Sequence, residues 1–266
     1  MTAVISKDGT KIAYERRGKG SAVILVEGAM GFRALSGLGL AELLAPHFTV
    51  YSYDRRGRGE STDTLPFAVQ REVEDIEALI HVAGGSAYIY GISSGAALAL
   101  EAAIVLKDEI KKLAIYEAPY DSSESGLKVW KEYRVGLAEA LGNNRRGDAI
   151  VLFMKLVGVS DEMIDGMRRS PMWSVLASVA PTLEYDARAL GEDRRPPVDR
   201  VTDITAQTLV MDGGASLAIM PFMRATAEVL TKAIPGAQHK VLEGQQHNVD
   251  MKVLAPVLVK FFSGRK

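Results

Sequence analysis

Residues 88–97 read YIYGISSGAA, an apolar run that breaks at Gly91, presents Ser93 and Ser94, and resumes after Gly95 as ALALEAAIVL. The segment AYIYGI before the break has strand length and strand residues; 95–106 after it reads as a helix. Gly91-Ile92-Ser93-Ser94-Gly95 therefore fits G-x-S-x-G in a strand–turn–helix setting. The glycines have a physical reason. A sharp turn brings strand and helix so close that a Cβ at either flank would collide. The central serine, Ser93, is the expected nucleophile. Its hydroxyl would project at the carboxyl edge of the sheet, where open α/β sheets place their sites. Ser94 opens the helix, so its unpaired backbone N–H can meet a developing oxyanion.

Outward from this turn, strands and helices alternate. Expected strands are 3–6, 10–18, 21–28, 48–54, 87–92, 112–119, 206–214 and 237–244, with helices at 35–46, 69–83, 95–106, 220–233 and 250–263. SAVILVEG is apolar throughout, which suits a strand buried on both faces. This order predicts an α/β fold with a mostly parallel, doubly wound sheet. Residues 121–200 break the rhythm with helical patterns at 127–141, 148–157, 161–169 and 171–180, ending in the polar stretch GEDRRPPVDR. They read as an inserted helical cap of roughly 80 residues. The core is then 1–120 together with 201–266.

Composition narrows the classes. Of 266 residues, 47% are hydrophobic, enough for a sizeable core, and the formal net charge is −1, which offers no footprint for nucleic acid or an anionic membrane. The arginines of DRRGRGE (54–60) and NNRRGD (143–148) stand beside carboxylates and read as solvated loops. There are no cysteines, which excludes disulfide scaffolds, thiolate metal sites and thiol nucleophiles. No metal-binding spacing occurs, and no cofactor is expected. The amino terminus carries no signal-peptide pattern and no window is long enough to span a bilayer, so a cytoplasmic location is expected. The expected partner is a small-molecule acyl substrate; a homodimer is left open.

A serine hydroxyl needs a base. Of four histidines, His47 precedes a strand, His81 lies near a helix end and His239 is inside a strand. His247, in LEGQQHNVD, follows the last strand in a polar loop at the edge shared with Ser93 and is the expected base.

LVEG after a buried strand, YDRRGRGES, YGISSG, a helical insertion and a late GQQH together resemble the α/β-hydrolase superfamily over 21–120 and 205–264. The resemblance implies acyl-enzyme chemistry with nucleophile, acid and histidine in that chain order. It also implies a second oxyanion donor, here the N–H of Ala29. Two departures stand out. Glu27-Gly28 replaces the family's His-Gly, placing a carboxylate near the oxyanion position, with Arg55, Arg56 and Arg58 as candidates to pair it. The usual acid slot aligns with Ser216. Two carboxylates preserve the chain order: Glu117, at a strand end where haloalkane dehalogenases carry their acid, and Asp212 as second candidate. Met30, Phe153, Met172 and Trp173, with Met163 and Met167, are expected to line an apolar acyl pocket. The expected activity is hydrolysis of a small carboxylic ester, thioester or lactone. The alternatives are a C–C bond hydrolase or perhydrolase on the same triad, and a ligand-binding relative with little turnover.

Overall fold

A computed structural model describes residues 2–264, the side chains of 36–38 excepted. Its strands are β1 (Thr2–Ile5), β2 (Lys11–Arg17), β3 (Ala22–Val26), β4 (Thr49–Tyr53), β5 (Ala87–Ile92), β6 (Ile110–Tyr116), β7 (Gln207–Gly213) and β8 (Gln238–Leu242). Its helices are α1 (Leu38–Leu44), α2 (Val69–Val82), α3 (Ser94–Leu106), α4 (Glu124–Gly142), α5 (Arg146–Leu156), α6 (Asp161–Arg168), α7 (Met172–Val179), α8 (Leu183–Ala189), α9 (Phe222–Ala233) and α10 (Met251–Ser263).

The strands form one sheet in the order β1-β2-β4-β3-β5-β6-β7-β8. β1 and β2 pair antiparallel and β2 meets β4 antiparallel; every other pairing is parallel. The chain reverses direction across the sheet between β3 and β5, so the carboxyl ends of these central strands open the crevice typical of such switch points.

Two apolar layers clothe the sheet. Ile24, Val26 and Ile89 on one face pack with Val73, Ile76, Leu79 and Ile80 of α2, with α3, and with Ala227 and Leu230 of α9. Val23, Leu25 and Val50 on the other pack with Leu40 and Leu44 of α1 and Leu254, Leu258 and Phe262 of α10. β3 has every residue buried because both its faces are covered. α3 is buried almost all round, and its run of alanines lets it lie close to the sheet behind the central turn.

Between β6 and β7 the described residues hold five α-helices and no strand. The helical patterns read at 127–141, 148–157, 161–169 and 171–180 correspond to α4 to α7. α8 was not anticipated. Its buried Asp186 interrupts the apolar pattern formed by Leu183, Tyr185, Ala187 and Ala189. Among the described residues no helix is long and apolar enough to cross a membrane.

The stretch DRRGRGE requires correction. Arg55, Arg56 and Arg58 are buried, not solvated. Arg55 is held by Glu72 at 2.7 Å and by Asp186 at 2.6 Å; Arg56 by Asp75 at 2.7 Å and Asp8 at 2.8 Å; Arg58 by Asp186 at 2.7 Å. The carboxylates come from segments distant in sequence, so local charge alternation could not reveal the pairing. In NNRRGD, by contrast, Arg145 and Asp148 are exposed and pair with each other.

Candidate active site

Ser93 lies between β5 and α3 with φ 56° and ψ −133°, a left-handed conformation rare outside glycine. Its neighbours explain how this is tolerated. A Cβ on Gly91 would come within 2.6 Å of the Gly95 carbonyl oxygen and 2.8 Å of the Ala99 Cβ. A Cβ on Gly95 would strike the carbonyl oxygens of Val26 and Glu27, and one on Gly28 would lie 2.9 Å from the Ser93 Cβ. The turn is thus wedged against the ends of β3 and β5, and Ser93 N–H donates to the Tyr116 carbonyl at 3.0 Å.

His247 sits in the loop between β8 and α10. Tyr116 Oη donates to the Gln246 carbonyl at 2.6 Å, and Ala215 N–H donates to the Gln245 carbonyl at 2.9 Å, tying that loop to β6 and to the turn after β7. His247 Nδ1 is 2.7 Å from Glu117 Oε2. Glu117 directly follows β6, has a positive φ of 47°, and is buried. Its other oxygen, Oε1, accepts from Gly213 N–H at 2.8 Å. The carboxylate is therefore fixed on both oxygens, which sets the ring's orientation and leaves Nε2 on the side away from Glu117.

Asp212, the second candidate acid, is engaged elsewhere. Its Oδ1 is 2.5 Å from His239 Nε2 and its Oδ2 accepts from Arg224 Nε at 2.6 Å. The alternation of a strand explains this. Asp212 is in register with Val241, and His239, two residues before Val241, lies on the same sheet face, so Asp212 is directed to that face and meets His239 there. Ser216 is buried on the cavity wall, and its Oγ has no hydrogen-bond partner among the described residues. His47 and His81 are exposed, and His81 stands 3.6 Å from Glu109.

Ser93, Ser94, Ala29 and His247 line one cavity of ≈ 340 Å³. Ser93 Oγ makes no direct hydrogen bond to the His247 ring among the described residues. Contacts of this kind often close only when substrate is bound. Phe153 lines the cavity, joined by Trp130, Tyr133, Leu156, Phe222 and Met223. Met30, Met172 and Trp173 do not line it. Met30 is buried in the core beside the turn; Met172 is exposed; Trp173 lies 3.5 Å from the Cβ position of Gly147 and beneath Arg168. Met163 is also exposed, and Met167 packs on the apolar core. Of these side chains, Trp173 of α7 meets α5 at Gly147 and α6 at Arg168.

One residue that the sequence did not single out is central. Asp186 of α8 accepts from Ser94 Oγ at 2.8 Å, besides Arg55 and Arg58. Burial raises its pKa, but the charges of Arg58 and Arg55 and the bonds from Ser94 and Arg55 outweigh that, so it lies below the ordinary carboxylate value. The network fastens α8 to the start of α3. Arg55 meets Glu27 through the backbone carbonyl, at 3.2 Å, and gives its carboxylate contacts to Glu72 and Asp186.

Residues 24–252 match the model of the alpha/beta hydrolase family. A crystal structure of an alpha/beta hydrolase from Sphaerobacter thermophilus is 46% identical, covers 98% of this chain and 100% of its own, and superposes with a TM-score of 0.88. A thermophilic esterase from Thermogutta terrifontis shares the fold at 21% identity, with 99% and 98% coverage and a TM-score of 0.74. An uncharacterized hydrolase of Bacillus subtilis, YraK, is 29% identical over 154 residues, which is 56% of this chain and 55% of that relative.

Proposed function

Since this chain belongs to the alpha/beta hydrolase family, we propose that it is a serine hydrolase cleaving a small carboxylic ester or related acyl compound through an acyl-enzyme. The observation that carries the reading is the convergence on one cavity of a strained serine and a histidine whose Nδ1 is held by a buried glutamate.

In this mechanism His247 Nε2 takes the Ser93 hydroxyl proton as Oγ bonds to the carbonyl carbon. The carbonyl π pair moves to oxygen, and the N–H groups of Ala29 and Ser94 hold the resulting oxyanion. The pair then re-forms the carbonyl as the bond to the leaving group breaks, and His247 returns its proton to the departing oxygen. Water, deprotonated by the same ring, repeats the cycle and frees Ser93. Glu117 keeps the Nδ1 proton in place and stabilises the imidazolium without taking its proton.

A fluorophosphonate probe tests the reading without a known substrate. Labelling confined to Ser93, with turnover of nitrophenyl esters, is expected. Failure of Ser93 to label in the folded protein would favour a ligand-binding relative.

A further inference from the structure

Arg194 is a buried cation without a task in this mechanism. It follows α8 with a positive φ of 51°, and only 8% of its surface is exposed. Its Nε donates to the Pro119 carbonyl. The guanidinium carbon stands 5.4 Å from the Trp130 ring centroid and 5.1 Å from that of Phe222. One hydrogen bond and two aromatic rings therefore hold the group in place.

Its remaining nitrogens are uncommitted. Among the described residues neither Nη1 nor Nη2 has a hydrogen-bond or ion-pair partner. They are also not sealed in the core, since Arg194 lines the same cavity as Ser93 and His247. The nearby carboxylate of Asp121 forms no ion pair with Arg194 and acts on it only at longer range; its Oδ1 accepts from Ser123 N–H at 3.0 Å and from Ser123 Oγ at 2.7 Å. Asp186, the acidic residue on the cavity wall, is already met by two arginines and Ser94. Burial lowers the Arg194 pKa, opposed by Asp121 and Tyr133, yet a guanidinium starts so high that it stays charged at neutral pH.

A charge taken out of water without a partner is costly. An anion entering this cavity would offset that cost, and two adjacent N–H donors on one plane match the two oxygens of a carboxylate. Trp130 and Phe222 flank Arg194, the Tyr133 phenol is also near it, and Phe153, Leu156 and Met223 add apolar surface to the same cavity. That combination suits a ligand with a hydrocarbon body and a single anionic end.

We propose that Arg194 is the anion-recognition residue of this cavity, so that the ester cleaved at Ser93 carries a free carboxylate which Nη1 and Nη2 bind. The fate of the ester rests on the serine-hydrolase reading; the binding of the carboxylate does not.

The test compares charged and neutral esters of matched shape. Monomethyl adipate against dimethyl adipate places the carboxylate on the acyl side. Acetoxybutyrate against its methyl ester places it on the alcohol side. The wild-type enzyme should favour the charged member of at least one pair in kcat/KM by about tenfold or more, mainly through KM. R194Q should erase that ratio, and R194K should retain part of it. The same four probes are titrated into S93A and S93A/R194Q by calorimetry, where the preference should appear and vanish in parallel. Equal handling of charged and neutral probes by the wild type overturns the proposal. So does an R194Q enzyme that loses both members of a pair equally, which is what a purely structural role would give. Arg194-dependent binding to S93A without turnover by the wild type would overturn the hydrolase reading alone. Turnover of neutral esters with no charge preference would overturn this proposal alone. Should R194Q not fold, the wild-type ratio and R194K decide.

Discussion

Glu117 Oε2 lies 2.7 Å from His247 Nδ1 across 130 residues of chain, while Glu117 Oε1 is held by the backbone N–H of Gly213. Glu117, the proposed acid, therefore follows β6, the strand next to the β5 that leads into Ser93, and Ser216 lies in the turn after β7. With both oxygens engaged, the carboxylate has one orientation, and the imidazole has one tautomer that satisfies it.

Neutralising this carboxylate is expected to depress turnover sharply. Glu117→Gln should lower kcat on a nitrophenyl ester by roughly 10⁴-fold, the scale associated with neutralising a triad acid. Asp212→Asn should be much milder, because Asp212 serves His239 and Arg224. Steady-state kinetics of the two variants side by side checks this; a larger loss in Asp212→Asn would reassign the acid.

Ser93→Ala should abolish ester hydrolysis and fluorophosphonate labelling with the fold retained. Ser94→Ala should keep measurable turnover, since its proposed contribution comes from the backbone. Its cost should instead be in stability, about 1.5–3 kcal/mol for a hydrogen bond to a charged group, because Ser94 Oγ donates to buried Asp186. Denaturant melts and kinetics together separate the two effects. Equal loss of activity in both variants would contradict the assignment.

Asp186→Asn should destabilise the protein by about 3–5 kcal/mol, since it leaves Arg55 and Arg58 short of a buried counter-charge. The pH dependence has a definite sign. The Asp186 pKa lies below its ordinary value of 3.8, so its stabilising contribution is complete above that value. It is lost as pH falls through the lower, folded-state value. The wild-type advantage over Asp186→Asn should therefore hold from neutral pH down to about 4 and shrink below it. Urea unfolding at stepped pH measures this; an advantage growing toward acid would refute the sign.

Gly95→Ala should be poorly tolerated. Its Cβ would meet two backbone carbonyl oxygens at the end of β3, which cannot swing aside as a side chain would. A loss of about 1–3 kcal/mol is expected from overpacking alone, with activity falling further as Ser93 is displaced. Thermal melts and ester kinetics should show both, and an unperturbed Gly95→Ala enzyme would contradict the wedged turn.

The sequence alone determined the parts governed by local physics. The strand–turn–helix at Ser93 was legible because steric crowding forces glycine at fixed positions beside the serine. The mostly parallel, doubly wound sheet followed from apolar runs alternating with period-3.6 patterns, while the order of its strands came from the structure. The helices α4 to α7 were legible from that period, whereas α8 was not, because its inward face carries a charged Asp186. Glu117 and Asp212 were both open as partners for His247 because each ends a neighbouring strand. Only the tertiary structure chose between them, through the register of β6, β7 and β8 and the positive φ that turns Glu117 to the sheet edge. The same holds for the arginines. DRRGRGE looks like a solvated loop, and GEDRRPPVDR like a polar linker, because a guanidinium's burial depends on carboxylates, carbonyls and rings that lie far away in sequence. Arg55 and Arg58 found Glu72 and Asp186, while Arg194 found Pro119, Trp130 and Phe222 but, among the described residues, no ion-pair partner. Periodicity and turn chemistry act over a few residues and can be read from the chain. Charge pairing acts through space, and only the folded structure decides it.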